Sequence, residues 1–280
     1  MSHAPQNQSL LSARFSVSYA GKPPVLRDLR LEIQRGEVLG LVGQSGSGKS
    51  TLAMAILGLL DRKRSQAEGV IRFQDSDLLQ LSERELRALR GRAVALVLQS
   101  PLSSLNPALK IRTQLKEAWR AHASGTRQDC ANAIQTSLHS VSLPADDEFL
   151  RKYPSQMSVG QAQRVLIAMA VMHRPALLIA DEATSALDVI TQSEILALFR
   201  ELNRSTGMAI LYISHDLASV AGICDRIAIL HQGEIVECGV TGQIFANPQH
   251  VYTQRLMAAM PRLLPAAAQP KEKTDAAAAR

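Results

Sequence analysis

The run Gly43-Gln44-Ser45-Gly46-Ser47-Gly48-Lys49-Ser50 follows the spacing G-x-x-x-x-G-K-[ST], which cradles the phosphates of a nucleotide. Glycines let the chain turn tightly and aim backbone N–H groups at phosphate oxygens, and a helix starting there adds its partial positive charge. Lys49 has the charge and length to reach β- and γ-phosphates. The Ser50 hydroxyl suits Mg2+, and Thr51 suits the α-phosphate side. The competing reading is a glycine-rich turn without a ligand, and Lys-Ser directly after the last glycine argues against it. A second candidate is Asp181-Glu182 at the end of the apolar run Leu177-Leu178-Ile179-Ala180. An aspartate at a strand tip can hold the Mg2+ that bridges the terminal phosphates, and the next acid can polarise an attacking water. Alone, the pair is equally well two solvated carboxylates.

These groups need elements that bring them to one place. The compact apolar run 38–42 reads as a strand before the glycine-rich turn, and residues 49–60 read as a helix after it. Further apolar runs at 93–99, 177–181 and 209–214 end in polar residues and read as buried parallel strands. Helical patterns at 161–173 and 190–203 separate them, so the expectation is an α/β fold with a parallel sheet covered on both faces. Residues 13–36 read as short alternating strands with turns near Ala20-Gly21-Lys22 and Arg35-Gly36. Between Gln99 and Ser158 lies helical material, at 113–123 and 127–140, without a clear strand. A helical insertion of about residues 100–173 into a domain spanning 1–262 accounts for it. Residues 263–280, rich in Ala, Pro and Lys, read as a disordered tail.

The 280 residues are enough for one large domain, and the net charge of +6 is modest. It suits handling of polyphosphate or docking near an anionic membrane, and surplus surface lysines explain it as well. Cys130, Cys224 and Cys238 are odd in number and widely spaced, which argues against a disulfide framework and a metal cluster and for a reducing compartment. No run approaches the roughly 18–20 apolar residues of a membrane span, and residues 1–12 lack the form of a secretory signal.

More motifs follow in order. Gln99 ends a buried run. Met157-Ser158-Val159-Gly160-Gln161 precedes Gln163-Arg164. Ser185-Ala186-Leu187-Asp188 follows the two acids. His215 follows the run 209–214, and Tyr19 lies upstream of the glycine-rich turn. Singly each is weak. Together, in this order, they make the chain similar, over about residues 13–262, to the nucleotide-binding subunits of ATP-binding cassette transporters. The resemblance implies a RecA-like P-loop NTPase core with an N-terminal antiparallel β subdomain and an inserted helical subdomain. It implies ATP and Mg2+ as ligands, with Ser50, Gln99 and Asp181 at the metal. Glu182, Gln99 and His215 would serve hydrolysis, and Tyr19 would stack on adenine. Ser158, Gly160, Gln161 and Asp188 would complete the nucleotide site of an opposing subunit. Val159 stands where the family signature has glycine, and a β-branched residue restricts the backbone there. Met157 for Leu and Ala183 for Pro are minor departures.

Gln99-Ser100-Pro101-Leu102-Ser103-Ser104-Leu105-Asn106-Pro107 and Asn247-Pro248-Gln249-His250-Val251-Tyr252-Thr253, with Pro261, resemble the peptide and nickel importer branch, closest to its second ATPase subunit. The C-terminal motif reads as a packing segment without a catalytic role. The resemblance implies a sister ATPase subunit, forming a heterodimer or a homodimer. It also implies two integral-membrane permease subunits, an external solute-binding protein acting indirectly, a peripheral place on the cytoplasmic face of the inner membrane, and no nucleic acid. Trp119, in the insertion, reads as core or as part of a permease interface. The alternatives are an accessory ATPase of a soluble complex such as the carbon–phosphorus lyase phosphonate system, a non-transport cassette protein, and a P-loop GTPase or kinase. No N-K-x-D guanine motif is present.

Overall fold

The computed structural model describes residues 9–61 and 63–259. In chain order the elements are β1 (Ser9–Tyr19), β2 (Leu26–Gln34), β3 (Val38–Val42), α1 (Lys49–Ile56), β4 (Ser65–Phe73), β5 (Ser76–Asp77), α2 (Glu83–Leu89) and β6 (Val94–Val97). Then come α3 (Pro101–Ser104), α4 (Ile111–Arg120), α5 (Arg127–Ser140), α6 (Asp147–Arg151), α7 (Val159–Val171), β7 (Leu177–Asp181) and α8 (Val189–Thr206). The chain continues through β8 (Ala209–Ser214), α9 (Leu217–Ile223), β9 (Arg226–His231), β10 (Glu234–Val240), α10 (Thr241–Ala246) and α11 (Val251–Ala258).

Two sheets result. One is four-stranded, in the order β2-β1-β4-β5, with antiparallel pairings. The other is six-stranded, in the order β10-β9-β3-β8-β7-β6, parallel except for the antiparallel edge strand β10. Its inner strands are apolar along their buried middles because both faces are buried, each against a different core; β7, β8 and β9 end in polar residues. Alternate side chains of a strand point to opposite faces. Accordingly Val38 and Val42 join one core with Leu178, Ala180, Ile210, Tyr212, Ile227 and Ile229. Leu39 and Leu41 join the other with Leu177, Ile179, Leu211, Ile213, Ala228 and Leu230. The antiparallel sheet closes the second core through Leu11, Phe15, Leu29, Ile33, Ile71 and Phe73. Helices α4, α5 and α7 close the first through Leu115, Ile134, Leu138 and Val165.

Between β6 and β7 the chain is helical, and several helices there carry their own start signals. Thr126 and Asp129 form a capping box on α5, and Ser158 and Gln161 form one on α7. Trp119 resolves to core: it is 8 % exposed and packs among the insertion's apolar residues. Four strands went unread in the sequence: β4, β5, β9 and β10. β4 mixes polar and apolar residues because its outer face is wet, and β9 lies hidden in a short run after Asp225. The tail at 263–280 and Pro261 lie outside the described residues. No helix among the described residues is long and apolar enough to cross a membrane.

Candidate nucleotide site

Parallel strands deliver their carboxyl ends to one edge, where ligands of open α/β sheets bind. In this sheet β8 lies between β3 and β7. Val42 pairs with Ser214, and Asp181 pairs with Ile213. The glycine-rich loop after β3, the acids ending β7, and His215 after β8 therefore emerge side by side. Gln99 follows the edge strand β6 and stands exposed. No hydrogen bond among the described residues joins it to Ser50 or Asp181.

The loop's shape depends on its glycines at two positions. Gly48 has φ of 109°, and a Cβ there would meet Leu26 Cδ2 at 2.6 Å. At Gly43 a Cβ would meet the Leu230 carbonyl oxygen at 2.3 Å, so the loop rests directly on the end of β9. Lys49 opens α1, buried to 6 % exposure, and its Nζ donates to the carbonyls of Gly43 at 2.7 Å and Gln44 at 3.1 Å. Burial pushes its pKa down, while Glu182 and Asp181 hold it up. The ammonium is thus tethered inside the loop and faces the two acids.

Burial raises the pKa of Asp181; the Ser50 hydroxyl, hydrogen-bonded to the carboxylate, lowers it, Glu182 raises it and Lys49 lowers it. Its Oδ1 is buried and has no hydrogen-bond partner. An orphaned carboxylate oxygen beside a serine hydroxyl is a pair of oxygen donors that fits a hard divalent cation such as Mg2+, and the Lys49 ammonium nearby suits phosphate. Glu182 adopts a left-handed backbone, φ 49°, rare for a residue with a side chain. Its N–H donates to Ile213 O at 3.0 Å, and its carbonyl accepts from Ser185 N–H at 3.1 Å. The turn carries the carboxylate to His215, whose Nδ1 lies 3.3 Å from Glu182 Oε1. Glu182 and His215 are thereby coupled, although 33 residues separate them.

The remaining sequence-expected residues fall into separate groups. Tyr19, half-buried at the end of β1, lines an open cleft with Gly21, Lys22, Lys63 and Arg64. Gln44, Ser45, Gly46 and Ser50 are exposed on the loop, Ser47 is buried, and Thr51 is half-buried in α1. Ser158 caps α7: its Oγ accepts from Gln161 N–H at 3.1 Å, and Gln161 Oε1 accepts from Ser158 N–H at 3.2 Å. Val159 is the first residue of that helix and is 38 % exposed. A Cβ on Gly160 would meet Thr191 Cγ2 at 2.7 Å, so this glycine lets α7 approach the start of α8. Asp188 caps α8, accepting from Ile190 N–H, Thr191 N–H and Thr191 Oγ1. Those bonds, the Thr191 hydroxyl foremost, lower its pKa. Sequence reading assigned no role at this site to Tyr252, yet its hydroxyl reaches the loop at Gln44. Only the fold could reveal a contact across 208 residues.

The fold and this edge define a phosphate-loop NTPase. The chain belongs to the ABC transporter family, whose sequence pattern matches residues 26–185, more than half of its length. It is 39 % identical over 247 residues to the dipeptide transport ATP-binding protein DppD of Bacillus subtilis, covering 88 % of this chain and 74 % of that protein. It is 42 % identical over 252 residues to the glutathione import ATP-binding protein GsiA of Shigella dysenteriae, covering 86 % of this chain. The chain spans only 40 % of the length of that GsiA. Among solved structures, cbiO1 of Clostridium perfringens, part of the ABC transporter complex cbiONQ, superposes with a TM-score of 0.74 at 25 % identity, covering 85 % of this chain and 91 % of that one. A dimeric cassette, MJ0796 bound to ADP and Pi, superposes with a TM-score of 0.70 at 26 % identity, covering 82 % and 98 %. The chain is an ABC transporter ATP-binding domain.

Proposed function

We propose that this chain binds Mg-ATP on the loop from Gly43 to Ser50 and hydrolyses it to drive an importer of peptides, nickel or related small solutes. One observation carries the reading: Lys49, Ser50, Asp181, Glu182 and His215 meet at the carboxyl edge of β3, β7 and β8. The import reading leans on the similarity to DppD, a dipeptide transport protein, and GsiA, a glutathione import protein. Nickel rests on the likeness of the segments at Gln99–Pro107 and Asn247–Thr253 to that branch.

The roles follow from position. Tyr19 stacks on the adenine, with Lys22, Lys63 and Arg64 around it. Loop N–H groups and Lys49 take the β- and γ-phosphates. Ser50 and Asp181 would hold Mg2+, with Gln99, exposed just after β6, as a further ligand on closure; when bound, the ion would neutralise charge on the phosphates. Glu182 polarises the attacking water, and His215 orients that carboxylate and contacts the γ-phosphate. Ser158, Gly160, Gln161 and Asp188 lie on exposed helix starts, from which they complete the site of a sister ATPase. Closure on ATP would then pull on the helical insertion and, through it, on two permease subunits at the cytoplasmic face of the inner membrane. An external solute-binding protein would supply the cargo. No nucleic acid enters this scheme.

The first test is thermal unfolding with and without MgATP. MgATP raises the melting temperature of the parent, GTP raises it less, and Lys49→Ala removes the shift. The absence of any shift in the parent would sink the nucleotide reading. Affinity purification from solubilised membranes is the second test. Recovery of a soluble complex lacking integral-membrane subunits would sink the transporter reading.

A further inference from the structure

The C-terminal segment reaches the phosphate loop, and nothing in its sequence marks it for that task. Tyr252, in the first turn of α11, accepts a hydrogen bond on its hydroxyl from the Gln44 N–H at 3.3 Å. Its ring stacks on His231, the last residue of β9, with centroids 3.8 Å apart and planes 20° apart. The preceding residues are anchored too. Gln249 and His250 donate their N–H groups to Glu237 on β10 at 2.8 and 3.1 Å, and His250 Nδ1 accepts from the Tyr252 N–H at 3.2 Å. Tyr252 is 9 % exposed and Thr253 is wholly buried.

The consequence falls on a single peptide plane. The Gly43 carbonyl accepts from Lys49 Nζ at 2.7 Å, and the Gln44 N–H on the opposite edge of the same planar unit donates to Tyr252. From beneath, the Leu230 carbonyl touches the position where a Gly43 side chain would stand. Gln44 O also accepts from Lys49 Nζ and from the Ser47 N–H. A loop with glycines at positive φ has many conformations open to it. Pinning its first peptide from both edges removes part of that freedom before any ligand arrives.

We propose that Tyr252 is a positioning residue for the phosphate loop: held by the His231 ring and the Glu237-bound turn, it sets the Gly43–Gln44 peptide and, through it, the placement of Lys49. The Asn247–Thr253 motif is then a buttress of the nucleotide site rather than packing alone. The inference rests on the reading of Gly43–Ser50 as the ATP loop. Preorganisation of this kind acts on affinity, because ligand binding no longer bears the ordering cost.

The test uses the full chain with Tyr252→Phe, which keeps the ring and removes the hydroxyl, and with His231→Ala, which removes the stacking partner. MgATP affinity is measured by calorimetry, and amide exchange is followed across residues 43–49 without nucleotide. Loss of one hydrogen bond of ordinary strength corresponds to a rise of about three- to tenfold in Kd for Tyr252→Phe. In the assembled complex KM rises with Kd while kcat stays within about twofold. Exchange at Gln44 accelerates and the sheet amides keep their protection. A smaller change of the same sign is expected for His231→Ala. An unchanged Kd in Tyr252→Phe overturns the proposal, as does a lower melting temperature with Kd and loop exchange unaltered, which would make the contact structural only. Lys49→Ala serves as the control: if the parent binds MgATP no better than that variant, the nucleotide reading itself fails.

Discussion

The glycine-rich loop and the start of α7 are both helix N-termini built from small polar residues, yet the fold treats them differently. At the first, Lys49 is buried, its ammonium is held by loop carbonyls, and two acids from another strand face it. At the second, Ser158 and Gln161 satisfy each other and Val159 is open to solvent. Val189 and Ile190, beside Asp188, are exposed to 81 % and 74 %. One region is a set of charged groups assembled within the chain. The other is an exposed surface of capped helix starts, which we propose completes the site of a sister subunit. The difference is one of burial: in the first region it raises the pKa of Asp181 and leaves one of its oxygens without a partner, whereas in the second the exposed Asp188 has its pKa lowered by ordinary capping hydrogen bonds.

That contrast can be broken by experiment. The largest effect belongs to Glu182→Gln, which retains MgATP binding and loses about 10²–10⁴ of turnover, the range of a general base. Turnover at the parental rate would end its assignment. Lys49→Ala follows, with MgATP affinity reduced on the order of 10²-fold, since charge-assisted bonds are the strong ones. Calorimetry at constant salt would read it.

On the surface region effects are smaller and of another kind. Ser158→Ala removes the cap of α7 and costs about 1 kcal/mol, read as a lower melting temperature with this chain's own MgATP affinity unchanged. A fall in that affinity would mean the two regions are not separable within one chain. Asp181→Asn tests the first region with the opposite sign. Burial holds the carboxyl's folded pKa above its ordinary value, so the folded state binds the proton more tightly than the unfolded one. Charging this group therefore disfavours the fold: stability falls as pH rises from the ordinary value through the raised one. Without nucleotide at neutral pH, Asp181→Asn raises the melting temperature, on the order of 1–2 °C, and it also weakens the gain from MgATP. Loss of stability would show that the carboxylate's bonds outweigh its burial. The smallest effect is Val159→Gly. The backbone there is already helical and the side chain exposed. Turnover in the assembled complex should change by less than about twofold, and stability should fall by less than about 0.5 kcal/mol.

Legibility in the sequence followed local chemistry. The strand at Val38–Val42, the loop and the helix at Lys49 were readable because apolar run, glycines and Lys-Ser are contiguous. The strand at Leu177–Asp181 was readable because a fully buried strand is apolar throughout and ends abruptly in acids. β9 was not, since its apolar run is only the four residues Ile227–Leu230 between Arg226 and His231, and β10 was not, since Glu234 and Glu237 interrupt the apolar signal on this edge strand. Glycine at position 160 was legible as part of a motif, but its steric reason, the approach of Thr191, was not. The segment at Asn247–Thr253 showed kinship and concealed its contact with the loop.

By itself the sequence determined which groups could bind phosphate, where four of the five parallel strands lie, and which family the chain resembles, because each of those depends on residues adjacent in the chain or on periodicity. Only the tertiary structure decided that β8 separates β3 from β7, so that His215 meets Glu182. It alone buried Lys49 next to the half-buried Asp181, and it brought Tyr252 to Gln44. Strand order, burial and contacts across two hundred residues arise from packing two sheets and their helices around shared cores. No local pattern encodes them.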